Sequence, residues 1–175
     1  RDLTHLAEIV NVILPFKPES LETYDDITLK LATKYFSSFS KKLGTHNMLE
    51  TAWNFLPEFI MKATGQLPKL TIQAEFTSDS RHEINEKILM IEEQLKNAGA
   101  TMKVAPSKKA AKKYWLIRRD SFGLLSTRIK KMYASPFIDD FVIPPASLPE
   151  FLPKLQAILN KYPTIKETFA GHVGN

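Results

Sequence analysis

His172 lies in the run Ala170-Gly171-His172-Val173-Gly174-Asn175, with a glycine immediately before it and another two residues after. Glycines there let the backbone turn tightly and approach a ligand, and an imidazole can move a proton near neutral pH or bind a metal. The plain alternative is an ordinary loop histidine. Arg118 follows Trp115 by three residues, which places both on one face of a helix. A guanidinium fork matches a carboxylate in geometry and keeps its charge at any working pH. The alternative is a core tryptophan beside solvated arginines. Asp139 and Asp140 interrupt an apolar stretch before Pro144-Pro145. Strand alternation turns one of them toward the core, where a carboxylate needs a cation unless the strand lies at an open edge.

The elements that must carry these residues are legible from periodicity. Leu3, Leu6, Ala7, Val10, Ile13 and Leu14 share one helical face, and Pro15 removes the next backbone donor. Residues 19–24 are expected to be a strand or an extended link. Asp26 is placed to cap a helix in which Ile27, Leu31, Tyr35, Phe39 and Leu43 recur every four residues, up to Gly44. Asn47 and Glu50 open a third helix carrying Trp53, Leu56, Ile60 and Ala63, with Pro57 expected to bend it and Gly65 to end it.

Leu70, Ile72, Ala74 and Phe76 alternate with polar residues, the pattern of a strand with one face on a core. Ser80 and Glu83 then cap a helix with Ile84, Ile88, Ile91 and Leu95 inward and Gly99 as its stop. A second strand is expected over 101–105, followed by a helix from Pro106-Ser107 with Ala111, Tyr114, Trp115 and Phe122 on its apolar side. The lysines at 108, 109, 112 and 113 read as its solvated face. A third strand over 137–143, a helix capped by Ser147 and Glu150 that carries Phe151, Leu155, Ile158 and Leu159, and a fourth strand over 166–171 complete the pattern. Helices packed on a small sheet make the class α+β or α/β. With no internal repeat or flexible linker, residues 1–175 read as a single domain.

Composition excludes several chemistries. The 175 residues, 43% of them hydrophobic, suffice for one core, and no cysteine is present, so disulfides, thiolate metal sites and a cysteine nucleophile are ruled out. This suits a reducing compartment, and a cytoplasmic location is expected. The net charge of +5 is too small to argue for nucleic acid. No G-x-G-x-x-G, Walker or G-x-S-x-G run occurs, and His5, His46 and His82 lack metal-ligand spacing. The chain opens at Arg1 and stops at Asn175 without tail composition, so it reads as an excerpt from a longer protein.

Together these segments resemble the C-terminal domain of the FAD-linked oxidases. Pro18 to Asp25 looks like that family's P-x-x-x-E-x-x-D segment, and Tyr114 to Arg118 like its W-x-x-R helix motif. Residues 137–144 look like its E-D-V-x-V-P strand, Ser147-Leu148-Pro149 like the S-x-L-P that follows, and Gly171 to Gly174 like the start of G-H-x-G-D-G-N-x-H. Asn175 stands where the family commonly has aspartate, and the motif's second histidine lies beyond the chain.

The resemblance implies a ferredoxin-like α+β cap domain with a small mixed or antiparallel sheet. It also implies oxidation of a D-2-hydroxy acid of the D-lactate or glycolate kind to a 2-oxo acid, with hydride passing to FAD held mainly by a flavin-binding domain of the same protein. Carried over, Arg118 would bind the substrate carboxylate, His172 would be the base at the substrate hydroxyl or a ligand to zinc or manganese, and Asp140 and Asn175 would lie near the cofactor. The implied partners are the hydroxy acid, the flavin domain and an electron acceptor. No nucleic acid is expected, homo-oligomerisation is left open, and the parent enzyme could dock peripherally on a membrane. A rival reading is a ferredoxin-like binding module for RNA or a small regulator, with the basic helix as its contact face.

Overall fold

The computed structural model describes residues 3–35, 55–105, 107–128, 141–165 and 167–173. Among them the fold is α+β, six helices with an open three-stranded antiparallel sheet. The order is α1 (Leu3–Ile13), a 3-10 turn (Leu14–Phe16), β1 (Ser20–Asp25), α2 (Asp26–Lys34), α3 (Leu56–Ala63), β2 (Leu70–Glu75), α4 (Arg81–Asn97), α5 (Lys108–Arg128), a second 3-10 turn (Pro145–Ser147), α6 (Leu148–Leu159) and β3 (Ala170–His172). β1 is central, with β2 on one side and β3 on the other. Backbone bonds from Glu19 N–H to the Glu75 carbonyl (2.8 Å) and from Asp26 N–H to the Lys69 carbonyl (3.1 Å) advance in opposite chain directions, making β1 and β2 antiparallel.

The chain forms two compact units. The first comprises Arg1–Thr23, Ile72–Val104 and Val142–Asn175, and the second Tyr24–Thr71 and Ala105–Phe141. In the first, α1 packs on α4 and α6. Leu6, Ala7, Val10 and Ile13 of α1 are buried, as are Leu21, Ile91, Leu95, Leu148, Leu152 and Leu155. Each fully buried aliphatic side chain contributes about 1.5–3 kcal/mol. In the second, α2 packs on α3 and α5, around a core of Tyr24, Leu29, Ala32, Phe55, Leu116 and Ile117.

Local chemistry explains the element ends, sometimes at a residue other than the expected one. Asp25, rather than Asp26, caps α2, its carboxylate accepting from Thr28 N–H at 3.0 Å, while Asp26 holds Lys30 at 2.6 Å. Ser80 caps α4 as expected, accepting from Glu83 N–H at 3.3 Å, but the Glu83 carboxylate turns to the Ser78 hydroxyl (2.6 Å) instead of completing the box. Gly65 and Gly99 take φ of +71° and +72°, the left-handed geometry that stops a helix at little steric cost. Pro57 bends nothing: it lies in the first turn of α3, where a missing N–H is harmless. Ser147 makes no capping bond, being part of the 3-10 turn that leads into α6.

The strand expected over 101–105 is irregular chain, and so are residues 141–143 of the expected third strand. The last strand forms later and shorter than expected, over Ala170–His172. Ile158 is 54% exposed, and α6 buries Leu148, Leu152 and Leu155 instead.

Candidate active site

His172 is carried on β3, in the first unit. Its Nδ1 lies 3.2 Å from Glu22 Oε1 on β1, with the imidazole 42% exposed and the carboxylate 14%. The backbone locks this pairing, since Val173 N–H bonds the Leu21 carbonyl at 2.8 Å. Leu21 is fully buried. Alternation along β1 therefore puts Glu22 on the opposite face from Leu21, level with its cross-strand neighbour His172. The two acids at the motif positions of the P-x-x-x-E-x-x-D segment thus have work: Glu22 meets the histidine and Asp25 caps α2.

Arg118 is carried on α5, in the second unit, and is half-buried, as is Trp115. The next arginine, Arg119, points its Nε at Asp120 Oδ1 (3.4 Å) and is 76% exposed. The residues that hold α5 are Leu116 and Ile117, buried on its inner side, and Lys113 one turn earlier. Asp140 and Asn175, both expected near the cofactor, lie outside the described residues, as does His46. His5 and His82 make helix-surface contacts with Glu8 and Glu86, each at 3.4 Å.

Sequence reasoning missed a buried polar cluster in the second unit. Lys113, read as part of a solvated basic face, is buried and joins Glu58 of α3 at 2.8 Å. The Tyr114 hydroxyl donates to the same Glu58 Oε1 at 3.1 Å. The Lys113 ammonium also sits over the rings of Tyr114 (4.7 Å) and Phe55 (5.3 Å). Burial pushes the Tyr114 phenol well above its ordinary range, and the Glu58 charge and hydrogen bond push the same way. Tyr24 is raised likewise by burial, then by Tyr114 and Glu58, with Thr71 acting in the opposite direction. The spacing from Glu58 to Lys113 offers no local pattern from which a pairing could be read.

A divalent ion needs three or more converging ligands. Among the described residues no group of three His, Asp, Glu or Cys side chains is placed to hold one, and His172 already engages Glu22 through one nitrogen. These residues do not make a metal site, and no step is routed through one. An open depression of about 230 Å³ in the first unit is lined by Ile143, Pro144, Ser147, Glu150, Phe151 and Lys154. Lys154, 2.6 Å from Glu150, holds that carboxyl below its usual range, an ordinary surface pair without an imidazole or guanidinium.

Comparison with known proteins decides the family. The profile of the FAD linked oxidases, C-terminal domain, matches residues 2–175. The chain belongs to that family. It is 27% identical over 170 residues to a D-2-hydroxyglutarate dehydrogenase of Pseudomonas putida, a match that takes in 93% of this chain and 15% of the length of that relative. No solved structure matches. Within this FAD-linked oxidase domain, Arg118 and His172 are the arginine and histidine of the W-x-x-R and G-H-x-G segments that the described residues contain.

Proposed function

We propose that this chain is the substrate-side domain of an FAD-dependent dehydrogenase that oxidises a D-2-hydroxy acid to the 2-oxo acid. The observation that carries the reading is the family match across residues 2–175. The name of the Pseudomonas relative adds 2-hydroxyglutarate to D-lactate and glycolate as substrates to be compared.

Bound FAD, held mainly by the flavin-binding domain, supplies the acceptor for the hydride. This chain's own residues bind substrate and move its proton. Arg118, on a helix anchored by Leu116 and Ile117, binds the substrate carboxylate as a bidentate pair. His172 takes the hydroxyl proton as the carbinol C–H bond breaks and its electron pair leaves as hydride, so that a C=O double bond forms. Each assignment rests on the residue's own surroundings and its motif. A separate electron acceptor would complete the turnover, and the protein works in the cytoplasm.

The test is anaerobic flavin reduction by the full-length protein against a panel of D- and L-2-hydroxy acids, with Arg118→Ala and His172→Gln beside the wild type. A D-hydroxy acid that bleaches the flavin supports the reading. A protein that binds no flavin overturns it.

A further inference from the structure

We propose that Glu22 is the positioning residue for His172: it fixes the imidazole as the tautomer protonated at Nδ1 and so presents Nε2 as the proton-accepting atom. The proposal rests on the reading of His172 as the base, but its structural half stands on the geometry of β1 and β3.

A carboxylate is acceptor-only, whereas a neutral imidazole carries one N–H and one lone pair. The 3.2 Å contact between Nδ1 and Glu22 Oε1 is therefore a hydrogen bond only if Nδ1 holds the proton. With the opposite tautomer two lone pairs would face each other. Nε2 is then the sole basic position on a ring that is 42% exposed, while Glu22, at 14%, is held in place. The adjoining backbone bond between Val173 and Leu21 keeps the two strands in the register that makes residues 22 and 172 neighbours.

The experiment uses the full-length flavoprotein labelled with nitrogen-15 at histidine, the His172 ring signals being assigned by their loss in His172→Gln. Wild type should show a protonated Nδ1 and an unprotonated Nε2. Glu22→Leu should lose that preference and slow flavin reduction by roughly 100-fold or more with little change in KM. Glu22→Gln, whose amide can donate to Nδ1 as readily as accept from Nδ1–H, should lose the single tautomer and slow flavin reduction while leaving the strand pairing intact. A wild-type ring protonated at Nε2 overturns the proposal, as does a Glu22→Leu variant with wild-type tautomer and rate. Should Glu22→Leu fail to fold, the wild-type spectrum and Glu22→Gln still decide. If His172→Gln reduces flavin as fast as wild type, the base role of His172 falls, and the tautomer measurement separately decides what Glu22 does.

Discussion

Glu58 of α3 and Lys113 of α5 form an ion pair at 2.8 Å with both side chains almost wholly withdrawn from water. Two charges so placed are costly to bury and strongly coupled. Removing one leaves the other buried and uncompensated. Glu58→Leu or Lys113→Met should each cost about 3–5 kcal/mol, and the double variant much less than the sum. Urea unfolding followed by circular dichroism measures this cycle; additive losses would show that the pair is not coupled.

The same cluster sets a response to alkali. The phenols of Tyr24 and Tyr114 are raised above their ordinary value of 10.0 by burial. A group raised on folding contributes stability in full below its unfolded pKa, and that contribution declines as pH rises from about 10 toward the folded value. Stability should therefore be insensitive to these phenols at neutral pH and fall above about pH 10. Tyr114→Phe should flatten the fall, seen in unfolding midpoints across an alkaline series. Early appearance of phenolate absorbance in the folded protein would contradict the burial argument.

Asp25 offers a simpler test. Its carboxylate accepts from Thr28 N–H at 3.0 Å and is fully buried. Asp25→Ala should cost about 1–2 kcal/mol by loss of the cap, and Asp25→Asn, which keeps an acceptor oxygen, markedly less. Thermal melts of the two variants decide; equal losses would place the stabilisation in the charge rather than the cap.

What the sequence disclosed follows from the range of each interaction. The stripe Leu6, Ala7, Val10 and Ile13, the Ser80 cap and the turns at Gly65 and Gly99 depend on neighbours within a helical turn, and all were legible. Lys113 was misread because a lysine run ordinarily faces water, and the acid that draws it inward lies on another helix. The Glu22 contact with His172 depends on strand pairing between residues far apart in the chain, so the motifs could name both residues without joining them. The expected strand over 101–105 failed for a related reason: a short apolar alternation has no ladder unless a partner is supplied.

The central claim is that Arg118 belongs to the substrate side of a flavin-dependent 2-hydroxy-acid dehydrogenase, and the most direct measurement is anaerobic flavin reduction by full-length wild type and Arg118→Ala. The account predicts that a D-2-hydroxy acid bleaches the wild-type flavin, and that the variant needs roughly 10- to 100-fold more substrate, the loss of a charge-assisted pair of about 1.5–3 kcal/mol. Equal half-saturation in the two proteins would contradict the role of Arg118, and absence of bound flavin would contradict the account itself.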